Sequence, residues 1–326
     1  MIHWLGIGFC CEVSIGFRYS SRDCGRFGRL GKLRYAKQKL SSGRTQAAHD
    51  YHNVFKKRSK EISELSHVDV SKTRVLVLGC GYNYPDVVLW SNASELAVGV
   101  DVRRVFLRNG FRALNREYRG QGNGFSKSLV KAIVNRWSYR SYYDSMRKIS
   151  GLDLDEIHQD LVAYNGIRLP FSDETFDIVC SNAVLEHVSE LNAVSEEIRR
   201  VTRPSGVSFH LWHNYYALSG AHVPEEIFIA SPWGHLLGDP EVDRWLRYTG
   251  TYLNKKLPNE ISAVLSRDFN ELRLNQVDRN HNRNGLDADF QYEGANLLTS
   301  DLEKKLSQYP KETLLTRAYS FIGMRK

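Results

Sequence analysis

The 326-residue sequence predicts an α/β fold: a mostly parallel sheet with helices on both faces, and helical insertions that cap it. Three observations carry this expectation. Short runs of Val, Leu and Ile, such as "VLVLG" and "LAVGVDV", read as strands buried on both faces. Segments with helical spacing separate these runs. Several runs end on Gly, Asp, Asn or His, which puts chemistry-bearing residues where parallel sheets bind their ligands, just beyond the carboxyl ends of the strands.

The elements follow in order. Residues 49–65 place Tyr51, Phe55 and Ile62 at helical spacing. Residues 74–79 form the first strand, which ends in the turn Gly79-Cys80-Gly81. A helix is expected near 85–92, and a second strand at 96–102. Residues 103 to about 156 are a basic, aromatic, helical insertion. "LPFSDETFDIVCSN" (169–182) gives a turn and another buried strand, and a helix from about 188 to 202 ends at "RPSG". The strand "VSFHLWHN" (207–214) leads into a loop-rich stretch, 215–257. A helix over 258–269 opens with Pro258, near the first-turn position that proline favours. The strand 269–277, a helix near 299–309 and a last strand at 317–325 complete the chain.

Composition bounds the function classes. Hydrophobic residues are 42% of the chain, enough for a sizeable core. No stretch approaches the roughly 18 to 20 apolar residues of a membrane helix. The apolar start, residues 1–17, is interrupted by Glu12 and lacks a basic leader, so it reads as a buried strand or helix rather than a signal peptide. Five cysteines (Cys10, Cys11, Cys24, Cys80 and Cys180) have no regular spacing, which argues against a disulfide framework and against a structural zinc site; a reducing cytoplasm is the expected setting. The net charge of +8 is uneven. Residues 1–45 carry nine Lys/Arg against Glu12 and Asp23, and residues 103–150 carry twelve against Glu117 and Asp144, so the rest of the chain is net acidic. Residues 1–48 are expected to form a basic arm, and 49–326 one domain with cap insertions at about 103–156 and 215–257.

The glycine turn selects among ligands. A phosphate loop of the GxxxxGK[ST] kind is set aside, because no Lys follows these glycines. A nicotinamide turn needs GxGxxG, and Tyr84 stands at its third glycine position. Asp101 lies 20 residues beyond Gly81 at the end of the second strand, where an acid can accept from the ribose hydroxyls of an adenosine group.

"VLVLGCG", "VGVDV" and "LPFSDETFDIVCSNAVLEHV" together resemble class I S-adenosylmethionine-dependent methyltransferases, most closely the small-molecule, type 11 kind. The resemblance is good over 74–102 and 160–214, and "YSFIGMRK" is similar to the family's last strand. It implies a Rossmann-like, seven-stranded sheet and S-adenosyl-L-methionine as cofactor. By position, Gly79, Cys80 and Gly81 would pass under the methionine end of that cofactor, Asp101 with Val102 would hold its ribose, Asn165 would meet the adenine, with Asp160 as its rival if the loop is longer, and Asn182 would lie near the sulfonium. Val77 stands where the family has an acid, and Asn83 where it has a third small residue.

Methyl transfer needs donor and acceptor held in near-attack geometry, and a hydroxyl acceptor needs a base. His187, in "LEHV", and His213, which ends the following strand, are the expected catalytic residues; His222 and His235 are weaker candidates. Glu186-His187 also resembles the Glu-x-x-Glu-His metal motif of ubiquinone-pathway O-methyltransferases, but Ala183 replaces the first Glu, so no metal is expected. Arg104, Arg108, Arg112 and Arg116 recur every four residues, and Trp137, Tyr139, Tyr142 and Tyr143 follow among further arginines. Such a surface suits phosphate-bearing ligands. An anionic small-molecule acceptor, such as a glycan or lipid precursor, is the leading expectation, with peripheral contact to an anionic membrane surface compatible with it. An RNA acceptor is the alternative, and a non-catalytic cofactor-binding protein is the third reading.

Overall fold

A computed structural model describes residues 43–326, apart from 82, 103–105, 107–108, 121–123, 153, 155–159, 165–166, 224, 250–251 and 278–293. Most of the expected arm, its three cysteines, Arg104, Arg108 and Asn165 therefore lie outside the described residues.

Seven strands form one sheet: β1 (Arg74–Leu78), β2 (Leu96–Asp101), β3 (Asp160–Ala163), β4 (Phe176–Asn182), β5 (Thr202–His213), β6 (Phe269–Val277) and β7 (Ala318–Arg325). Their spatial order is β3-β2-β1-β4-β5-β7-β6. The sheet is mostly parallel with a few antiparallel strands, and helices lie on both sides, as expected. β1 is flanked in parallel by β2 and β4, with Leu78 opposite both Val100 and Ser181. Gly79, Asp101 and Asn182 are the next residue along each of these three strands, so the register aligns them at one sheet edge.

Two differences from the sequence reading stand out. β3 is a separate four-residue strand that the sequence did not set apart. β5 begins at Thr202, not near Val207, because "RPSG" continues the strand, with Ser205 in the left-handed region at φ 61°.

The chain divides into two compact units. One comprises 43–182, Ala193–Phe209 and Met324–Lys326. There, Val75–Leu78 are buried, as are Val87, Val88, Leu89 and Trp90 of the helix Pro85–Ser91. Phe55 meets the Trp90 ring edge-on at 5.2 Å, and Tyr51 and Ile62 are buried as their spacing implied. The basic insertion consists of two helices, Gly110–Gly120 and Phe125–Ser150, packed through Leu114, Tyr118 and Ala132. Arg112 and Arg116 are exposed on the first of them.

The other unit comprises Ala183–Asn192 and 210–323. Its core gathers Leu218, Ile227, Phe228, Trp233, Leu306 and Leu314. The stretch expected to be loop-rich contains helices Glu225–Ala230, Gly234–Leu237 and Pro240–Thr249. No helix among the described residues is long and apolar enough to cross a membrane.

Candidate functional site

The first unit carries the glycine turn. Gly79 and Gly81 take φ of 65° and 69°, a left-handed backbone that residues with a Cβ rarely adopt. The Cys80 N–H donates to Val100 O at 3.0 Å, which ties the turn to β2. The Gly81 N–H donates to Asp101 Oδ2 at 2.8 Å. Asp101 is buried, and its backbone carbonyl accepts the Tyr164 N–H at 3.1 Å. Burial, and then the charge of Asp101, push the Tyr164 hydroxyl far above the usual tyrosine range, so it stays a neutral hydroxyl. The register thus brings Gly79, Cys80, Gly81, Asp101, half-buried Val102 and Asn182 to the carboxyl ends of three adjacent strands.

The sequence reading treated the insertion only as a cap. The structure adds a fastening role for it. The Tyr143 hydroxyl on Phe125–Ser150 donates to Asn83 O, inside the loop after the turn. Its neighbour Tyr142 donates to Asp50 Oδ2 at 2.7 Å. Burial raises both phenols well above their ordinary pKa, so each keeps the proton it donates.

The LPF stretch is held by side chains from the helix Leu191–Val201. Glu197 Oε2 accepts the Leu169 N–H at 2.8 Å. Arg200 donates to Leu169 O, Phe171 O and Asp173, and is paired with Glu197 at 2.7 Å.

The second unit carries the histidines. Leu185–His187 is a single tight turn, and Glu186 and His187 are buried in it. Asn254 pins this turn by donating to Leu185 O at 2.7 Å and Val188 O at 3.1 Å, while its N–H donates to Glu186 O. His187 Nδ1 lies 2.8 Å from Tyr252 O. A carbonyl only accepts, so Nδ1 carries the proton, and neutral imidazole then has its lone pair on Nε2. That Nε2 is buried without a hydrogen-bond partner.

His213 Nδ1 lies 3.2 Å from His222 Nε2 and 3.5 Å from Glu186 Oε1, which also accepts the His213 N–H at 3.2 Å. Burial raises the pKa of Glu186. Burial and the neighbouring histidines hold His222 well below the usual histidine range. The His187 ring lies 5.2 Å from the His222 ring, so the two expected catalytic histidines share one cluster, and His222, ranked below them in sequence, is a full member of it. The missing signal was conformational: His222 is reached through a left-handed backbone, φ 55°, just after a turn at Gly220 where a Cβ would stand 2.1 Å from Tyr215 O. His235 lies apart from this cluster in its bonding, donating from Nε2 to Tyr215 O at 2.8 Å.

Comparison with known proteins bears on this geometry. Residues 120–209 match a family model described as a methyltransferase domain. The chain is 30% identical over 139 residues to an uncharacterized methyltransferase of Schizosaccharomyces pombe, a match covering 42% of this chain and 39% of that protein.

Over residues 120–209 the chain is similar to methyltransferase domains.

The chain thus spans well under half the length of the curated relative it matches. Among solved structures, the chain is similar to an S-adenosylmethionine-dependent methyltransferase from Mesorhizobium loti, at 11% identity over 81% of this chain and 96% of that one, with a TM-score of 0.43. It is also similar to the PH0226 protein of Pyrococcus horikoshii, at 15% identity over 85% and 99% of the two chains, with a TM-score of 0.41.

Proposed function

We propose that the protein transfers a methyl group from S-adenosylmethionine to a small-molecule acceptor that carries negative charge. The observation that carries this reading is the hydrogen bond between the Gly81 N–H and the Asp101 carboxylate at the ends of β1 and β2. A bare glycine turn beside an acid fits an adenosyl group: the turn lets backbone approach the ligand, and the acid accepts from its hydroxyls. Added bulk would close that approach, since a Cβ on Gly81 would stand 3.2 Å from Asn83 Oδ1 on a backbone side chains rarely adopt.

In this reading Gly79, Cys80 and Gly81 line the methionine end of the cofactor, Asp101 and Val102 bind its ribose, and Asn182 faces its sulfur. Asn165, assigned to the adenine, lies outside the described residues. When bound, the cofactor supplies a methyl group already activated on a sulfonium. The chain's remaining tasks are to orient the acceptor and to take its proton. His187 takes the proton on Nε2, because the bond to Tyr252 O fixes its tautomer with the lone pair there. The exposed Arg112 and Arg116 support a preference for phosphate- or carboxylate-bearing acceptors.

Calorimetry on the purified chain tests the cofactor assignment. Wild-type protein should bind S-adenosylmethionine, and Asp101→Ala should weaken binding at least about tenfold, the loss of a charge-assisted hydrogen bond. Absence of binding by the wild type would overturn the reading. A screen of anionic acceptors with labelled donor then identifies the product.

A further inference from the structure

Glu186, His213 and His222 each offer a metal-ligating atom, and these atoms all lie within 4.8 Å of one another. Donors held about 2.0 to 2.1 Å from a tetrahedral ion stand roughly 3.3 Å apart. The two closest approaches, 3.2 Å between the imidazole nitrogens and 3.5 Å from nitrogen to carboxylate, bracket that spacing.

Hydrogen bonding leaves this cluster incomplete. Glu186 is buried, yet its Oε2 has no hydrogen-bond partner, and His222 Nδ1 is in the same position. Among the described residues, the side chain that meets Glu186 at ion-pair distance is His213, which is charged only if protonated. A carboxylate taken out of water without a cation is costly, and a cation among these three residues removes the cost. The scaffold around them is fixed: Asn254 pins the turn that bears Glu186, and the His213 N–H orients its carboxylate.

We propose that Glu186, His213 and His222 bind one divalent transition-metal ion of the zinc class. Two imidazoles and one carboxylate suit zinc better than magnesium or calcium, which take oxygen ligands, and three protein ligands leave a fourth position open. The Glu-x-x-Glu-His register failed to show this site because its remaining ligands are not local. They come from 27 residues downstream, at His213, and nine residues beyond that, at His222. If the acceptor is a hydroxyl, an ion held by these three residues would ease its ionisation, and His187 Nε2 would be the base that takes the proton. That role rests on the methyltransferase reading; the binding of the ion does not.

The test uses the full chain without a histidine tag, stripped with a chelator and titrated with Zn²⁺ by calorimetry and with Co²⁺ by visible absorption. Wild-type protein should take up one ion per chain, and Co²⁺ should give the strong absorption of a four-coordinate nitrogen and oxygen site, displaced by Zn²⁺. Glu186→Gln and His222→Asn should each weaken binding at least about 100-fold, beyond the usual effect of removing a supporting residue. Asn is chosen because it tolerates the left-handed backbone of His222. His52→Ala, an exposed histidine elsewhere, should change nothing. Wild-type protein that takes up no Zn²⁺, or that gives no such cobalt spectrum, overturns the proposal whether or not the variants fold. Folded variants that bind as tightly as the wild type do the same. S-adenosylmethionine binding is measured on the same stripped sample. Cofactor binding without zinc binding removes the metal site and leaves the methyltransferase reading standing, and the opposite result does the reverse.

Discussion

Asp101 and Gly81, 20 residues apart in the chain, meet through a 2.8 Å hydrogen bond from the glycine N–H to the carboxylate. Asp101 therefore shapes the turn besides its proposed part in cofactor binding, and two substitutions separate these tasks. Asp101→Asn keeps an oxygen for the Gly81 N–H, so denaturant unfolding should show a loss of no more than about 0.5 kcal/mol while cofactor affinity falls. Asp101→Ala strands the N–H and should cost about 1–2 kcal/mol as well.

Gly99 leaves no room for a side chain. A Cβ there would lie 2.6 Å from Val87 Cγ2, 2.8 Å from Leu161 Cδ2 and 2.9 Å from Cys80 Sγ. Gly99→Ala should therefore destabilise by about 1–3 kcal/mol through overpacking, seen as a lower denaturant midpoint. The shift it forces on Cys80 should also lower affinity for S-adenosylmethionine.

Arg200 joins Leu169 O, Phe171 O, Asp173 and Glu197. Its side chain is 22% exposed, so solvent screens part of the charge. Arg200→Ala should still cost about 1–3 kcal/mol, because two carbonyls lose charged donors at once. Arg200→Lys should recover only part of this, since an ammonium cannot reproduce the fork. Thermal melts of the three proteins check it.

Tyr143→Phe removes the donor to Asn83 O and little else. The loop after the glycine turn should loosen, and cofactor affinity should fall about five- to tenfold, as for the loss of about 1 kcal/mol. The melting temperature should move by only a few degrees. Calorimetry and a thermal melt on the same sample distinguish these effects.

Burial pulls His235 from the usual histidine value down to about 4, against a smaller opposing effect of the bond to Tyr215 O. The unfolded chain, with its ordinary histidine pKa of about 6.5, therefore binds a proton that the folded chain refuses. Stability from this group is intact above pH 6.5 and falls as pH drops towards 4, by at most about 3 kcal/mol. His235→Gln should flatten that part of the profile, measured by unfolding at pH 7.5, 6 and 4.5.

Much of the frame was legible in the sequence because it rests on local rules. Buried parallel strands read as unbroken apolar runs, and β1, β2 and β6 lie within a residue of their expected limits. β3 escaped because four residues carry no periodicity to detect. β5 was read too short because Pro204 and Gly206 look like a breaker, yet both fit at the start of the strand, where Gly206 is required: a Cβ there would stand 2.7 Å from Thr202 Cγ2. The glycine turn and Asp101 could be paired from spacing alone. The histidine cluster could not, since the contact of His222 with His213 depends on a left-handed residue after a tight turn.

The stretch that makes this chain easiest to recognise, from Leu169 to Asp177, is bound up in fasteners: Leu169 and Phe171 by Arg200, Leu169 again by Glu197, and Asp177 by Arg203 and the Arg74 N–H. The hydrogen bonds that hold it run to the loop's own backbone and to Asp173 and Asp177, so they answer to how the loop is anchored. A change of acceptor would leave every one of these fasteners in place. Under the proposed reading, a likeness read from this stretch predicts a shared scaffold, and acceptor preference is better sought at Glu186, His187, His213 and His222.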